Sequence, residues 1–179
     1  MAKKKKVKNN RTAHKSVSNT TMPPKDEVVV ISTKNFSFES VKVDRFSNYL
    51  KDSAQFTQVM NTLFYKILQE VQLYNFKQWL SGNDKSNYYH FHRVEGKELE
   101  IVRKIILKYN TKRVIDFEFD EIYQCGVDSL RVFFIKDNPN IMSLLFLDPH
   151  HLVCPSKNYN QNDTNKYSFC MLHLERGQC

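Results

Sequence analysis

Apolar residues fall into a helical rhythm along one stretch of this chain. From Phe56 they recur at Val59, Met60, Leu63, Phe64, Ile67, Leu68 and Val71, alternating steps of three and one that keep a single stripe aligned on a 3.6-residue period. The spacing predicts an amphipathic helix with that stripe turned to a core and Ser53 as its cap. Lys97 to Tyr109 predicts another, with Leu99, Val102, Ile105, Ile106 and Tyr109 inward. Residues 44–53, carrying Phe46, Tyr49 and Leu50, read as a short helix. Leu73 to Leu80 reads as one more, ending near Gly82.

Elsewhere the rhythm shortens towards two. Val28 to Ser32 and Phe36 to Val43 are β-rich and predict one or two strands. Tyr88 to Gly96 reads as extended or irregular. The clearest strand pattern runs from Arg113 to His151. Val114 to Phe119 alternates, and a second run from Glu121 to Cys125 continues it past a bulge at Asp120. Gly126 to Ser129 is a turn. Leu130 to Ile135 is apolar except for Arg131, which predicts a central strand covered on at least one face. Lys136 to Asn140 is dense in turn residues, and Ile141 to Leu147 is again apolar. Asp148-Pro149 ends that strand, because proline has no N–H to give a ladder. Together these elements predict an α+β fold: an antiparallel β-meander sheet packed against two or three amphipathic helices, with a disordered basic N-terminal tail.

The 179 residues favour one domain with tails and suffice for a core without metal or disulfides. Residues 1–25 read as the disordered basic tail, residues 26–154 as a single α+β domain, and residues 155–179 as a polar C-terminal tail. Lys and Asn are abundant while Gly and Ala are scarce, a bias that AT-rich codons produce. The net charge of +8 is not spread evenly. Lys3, Lys4, Lys5, Lys6, Lys8, Arg11 and Lys15 stand in the first 16 residues with no acid, whereas residues 17–151 hold 17 basic and 17 acidic side chains. The run KKKKVK is therefore a solvated arm attracted to phosphate, with RNA or DNA as its partner, or a nuclear-import-like address. No apolar stretch resembles a signal peptide or a membrane span, which predicts a cytoplasmic protein that contacts no membrane and keeps Cys125, Cys154, Cys170 and Cys179 reduced.

Four constellations carry chemistry. Alternation puts Arg131 on one face of its strand with Phe133 and Ile135. It either pairs with Glu118 or Asp116 on the neighbouring strand or clamps a phosphate with its rigid fork. His150 and His151 leave the last strand on different sides, either as loop residues or with one of them as general acid or base. His90 and His92 share a face if their segment is a strand, a possible metal pair without a third ligand. His150 or His151, Cys154, Cys170 and His173 have the types for zinc but no C-x-x-C pair, so no metal and no cofactor is expected. Glycine-rich phosphate loops and the G-x-S-x-G elbow are absent from the sequence.

The segment LRVFFIKDNPNIMSLLFLDPHH resembles the RelE/YoeB-type bacterial toxin family, in which a strand arginine is followed by a turn, an apolar strand and a C-terminal histidine. Arg131 matches the strand arginine, His150 or His151 the histidine, and Glu118 the carboxylate of the YoeB branch. The resemblance implies a metal-independent endoribonuclease of a toxin–antitoxin pair, with an antitoxin as partner. Glu118 would deprotonate the ribose 2′-OH, His150 or His151 would protonate the leaving group, and Arg131 would stabilise charge on the phosphorane-like transition state. The chain departs from that family in its two tails and its neutral core. The expected function is thus a small accessory or binding protein of a mobile element or phage, with RelE-like mRNA cleavage, or an inactive relative of such an enzyme, as the alternative.

Overall fold

The computed structural model describes residues 29–69, 90–110, 121–138, 140–155 and 162–172. The expected arm, the helix at Leu73–Leu80 and the strand at Val114–Phe119 lie outside those residues. In chain order the elements are β1 (Val30–Ser32), β2 (Lys42–Val43), β3 (Phe46–Ser47), α1 (Ser53–Asn61) running into a π-helical turn (Thr62–Leu68), β4 (His92–Arg93), α2 (Gly96–Asn110), β5 (Ile122–Val127), β6 (Leu130–Asn138), β7 (Ile141–Asp148) and a 3₁₀ turn (Asn162–Lys166). The fold is α+β.

Strands β5, β6 and β7 form the antiparallel meander that the apolar runs require, and β4 extends it antiparallel beside β5. On the other edge β1 joins β7 in parallel, so the sheet order is β1-β7-β6-β5-β4. The strand with the lone arginine is central, as its composition demands. Phe133 and Phe134 are both fully buried, on opposite faces, because the sheet is covered on both sides. Beneath one face lie Val59, Leu63 and Ile67 of the first helix with Val132, Phe134 and Leu144. Beneath the other lie Val102, Ile105 and Ile106 of α2 with Phe133, Ile135 and Phe146. Phe146 is the aromatic hub of that second layer. It stacks on its cross-strand partner Phe133 at 4.6 Å and meets Phe46 edge-on at 5.6 Å. A register shift after Phe133 leaves Leu145 as an extra residue, and its carbonyl accepts from Ser37 N at 3.3 Å.

Some local expectations need correction. Residues 42–47 form a tight antiparallel hairpin, so Phe46 and Ser47 are strand where a helix over 44–53 is expected, while Lys42 and Val43 keep the expected extended form. The hairpin's two-residue turn has Asp44 at φ 51°, a left-handed conformation that Asp tolerates. Asn48 then braces the hairpin from inside: its Oδ1 accepts from Val41 N at 2.7 Å and its Nδ2 donates to Tyr109 Oη at 3.0 Å, tying it to α2. The N-cap of α1 is Asp52, whose carboxylate accepts from Gln55 N, one residue earlier than expected. The stretch read as a polar tail also meets the core. Leu50 and Phe169 exchange two backbone hydrogen bonds, at 2.8 and 3.0 Å, and Cys170 and Met171 are buried. Cys170 is disulfide-bonded, against the expectation of reduced thiols, while Cys125 and Cys154 are free.

Candidate functional site

Arg131 is the second residue of β6, which follows a two-residue turn in which Asp128 has φ 54°. Opposite it in the ladder stands Gly126 on one side and Asp148 on the other. A Cβ on Gly126 would meet Leu130 O at 2.1 Å and Arg131 Cδ at 2.7 Å, so only glycine leaves room for the arginine stem. The guanidinium folds back on its own turn. Nη1 donates to Asp128 O at 2.8 Å and to Leu130 O at 2.9 Å, and Nη2 lies 3.5 Å from His151 Nδ1. With only 3% of its surface exposed, Arg131 has little reach toward a phosphate in solvent.

The exit of β7 is organised by one carboxylate. Asp148 is fully buried and accepts from three backbone N–H groups: His150 at 3.2 Å, Leu152 at 2.7 Å and Val153 at 2.7 Å. These bonds curl residues 149–153 around the side chain, with His151 held at φ 56°. Burial still dominates its ionisation and pushes the carboxyl up to about 6, against the pull of those donors and of Arg131. Burial, reinforced by Arg131, lowers His151 to about 4. The imidazole is therefore neutral near neutrality and carries no readily lost proton for a leaving group. His150 goes elsewhere: its Nε2 donates to Tyr49 O at 2.7 Å, and its ring lies 5.3 Å from Tyr167.

The structure thus brings Arg131 and His151 together and sends His150 to the backbone before α1. Glu118 and the arm residues Lys3, Lys4, Lys5, Lys6, Lys8 and Arg11 lie outside the described residues. Asp148 and Gly126 were read from sequence only as a strand end and a turn. The available signal was an aspartate closing an apolar strand before Pro-His-His, where a short carboxylate can gather the N–H groups that follow it.

A second polar locality lies beside β4. A cleft of about 310 Å³ is lined by His92, Arg93, Val94, Glu95, Glu98, Cys154 and Pro155. His92 Nδ1 donates to Arg93 O at 2.9 Å, and its Nε2 accepts from Gln124 Nε2 at 3.1 Å. Gln124 is buried, and its Oε1 has no hydrogen-bond partner. The Cys154 thiol is pushed up to about 12, first by burial and then by Glu98 and Asp148, so it stays protonated and weakly nucleophilic. Among the described residues no three His, Cys, Asp or Glu side chains are gathered to hold a metal ion, and no helix is long and apolar enough to cross a membrane.

The family model that matches this chain is that of the uncharacterised protein UU032, over residues 34–177. The uncharacterised protein UU032 of Ureaplasma parvum serovar 3 is 30% identical over 179 residues, an alignment covering 94% of this chain and 94% of that protein. No solved structure matches. These matches overturn the resemblance to RelE/YoeB-type toxins. A short strand-and-turn pattern suggested that kinship, whereas the relationship along nearly the whole chain is to a different family. The pattern Arg-apolar-aromatic-aromatic arises here from a strand buried on both faces.

Proposed function

This chain belongs to the UU032 family, and within it we propose a cytoplasmic accessory protein that binds nucleic acid through its basic N-terminal arm, with the α+β domain as a near-neutral carrier. The observation that supports this is the segregation of charge: seven basic side chains and no acid between Lys3 and Lys15, against equal numbers of both signs in residues 17–151. An arm of that kind gains affinity by releasing counterions from phosphates, without reading sequence. The inward commitment of Arg131 and His151 agrees with it, because the corner that looked catalytic spends its hydrogen bonds on its own turn and loop.

Fluorescence anisotropy with a labelled oligonucleotide tests the proposal. Full-length protein should bind with a log–log salt slope of roughly −5 if all seven charges engage a single strand. A chain beginning at Lys25 should lose most of the affinity and the slope. Undiminished binding by the shortened chain would remove the arm from the account.

A further inference from the structure

Two acceptors without donors meet at the cleft beside β4. Gln124 stands opposite Phe133 in the ladder and so projects toward α2, on the same face as its other cross-strand partner His92. Only 2% of Gln124 is exposed. Its Nε2 ends 3.1 Å from His92 Nε2, at the wall of the cleft, and its Oε1 has no donor. A buried amide carbonyl left without a donor is a standing desolvation cost, which a ligand N–H would relieve.

Glu98 is the second acceptor. It lies in the first turn of α2, half-buried in the same cleft. The helix N-terminus accounts for an acid at that position. Among the described residues no cation pairs with it, whereas the neighbouring Glu95 has Arg93 at 3.8 Å. The Cys154 thiol, also in the cleft, reports the sign of the local field. After burial, Glu98 and then Asp148 raise it, each by more than Arg131 or Arg45 lowers it, so negative potential prevails there in spite of two arginines.

The cleft of about 310 Å³ thus offers unfilled acceptors, negative charge and apolar contact from Val94 and Pro155. That combination selects a positively charged donor with a short apolar stem. An alkylammonium has three N–H groups, enough for the carboxylate, the amide oxygen and a water. A metal ion would ask for a gathering of ligands that the described residues do not make.

We propose that this cleft binds a small primary ammonium compound, whose N–H groups pair with Glu98 and with Gln124 Oε1 beside the His92 ring. The Gln124 nitrogen keeps hold of His92 while its oxygen takes the ligand. Because Oε1 is enclosed, the exposed His92 ring shifts to admit the ammonium. The site does not depend on the basic arm, so it stands or falls apart from the nucleic-acid reading.

Adding n-butylammonium chloride to the isotopically labelled full chain tests the site by NMR, with equal sodium chloride as the reference. The Gln124 side-chain amide and the His92 and Glu98 signals should shift saturably, with a dissociation constant on the order of 1 mM. Glu98→Gln should raise that constant tenfold or more, and Gln124→Leu severalfold. Tetramethylammonium has the charge but no N–H, and n-butanol has the stem but no charge; neither should saturate those signals. Glu98 is partly exposed, so Glu98→Gln keeps the fold even if Gln124→Leu disturbs it, and signal dispersion checks both. Equal shifts from tetramethylammonium would reduce the cleft to a bare negative surface and overturn the site. Signals that stay still in the amine, or an undiminished response in Glu98→Gln, would overturn it too.

Discussion

Two polar localities on this small domain treat their hydrogen bonds differently. At the corner where β6 begins and β7 ends, Arg131, Asp148 and His151 are almost wholly enclosed, and the carboxylate gathers three N–H donors while the guanidinium caps two carbonyls. At the edge by β4, Gln124 is equally buried but uses only one side of its amide, and the histidine it holds lines an open cleft. The first locality has chemistry-bearing residue types and spends them on folding. The second has a modest residue set and leaves an acceptor unfilled. Residue type alone therefore misdirects: catalytic-looking side chains in an interior can be structural ties, and an inconspicuous glutamine can mark unfinished business.

The largest expected effect comes from dissolving the first corner. Asp148→Ala should cost about 3–5 kcal/mol in urea denaturation, because it strands three N–H donors and leaves the Arg131 charge without its facing carboxylate. A cost under about 1 kcal/mol would mean that solvent replaces the carboxylate easily and that the corner is not a tie at all.

A pH series sharpens the same contrast. Asp148 titrates at about 6 in the fold against an ordinary 3.8, so its contribution to stability is fully present below 3.8 and lost as pH rises through 6. His151 titrates at about 4 against 6.5, so its contribution is present above 6.5 and lost as pH falls through 4. Over the shared window the slopes oppose each other, and folding in effect moves one proton from the imidazole to the carboxyl. His151→Gln should unmask the carboxylate, making the variant more stable relative to wild type on acidification from pH 6.5 to 4, by up to about 3 kcal/mol. Parallel stability–pH curves for the two proteins would refute the compensation.

The smallest effect belongs to the second locality. Gln124→Leu removes a buried carbonyl that has no donor, so the change should stay within about 1 kcal/mol in thermal unfolding. A loss of about 2 kcal/mol or more would show that something satisfies Oε1 in solution.

Periodic parts of the molecule were readable in the sequence. The stripe beginning at Phe56, the inward set of α2 and the two apolar runs around Asp137 gave the helices and the meander, because each pattern repeats within one element. The second strand of the hairpin at 42–47 falls in the stretch 44–53 that reads as a helix, since Phe46, Tyr49 and Leu50 fit helical spacing and the turn contains no glycine. Pairing of β1 with β7 joins residues more than a hundred positions apart, which no local pattern encodes. The fate of Arg131 was illegible for the same reason: it depended on Gly126 being opposite and on Asp148 reaching the next rung. Phe64, which is 53% exposed, was assigned inward because a π-turn leaves no mark in an apolar stripe.

Met171 sits in the same layer as Val29, and Phe169 is zipped to Leu50. During synthesis the nascent chain thus cannot close that layer until residue 171 has cleared the ribosomal tunnel. The sheet's apolar strands wait for it, half-clad, and that wait is the period in which a chaperone would matter most.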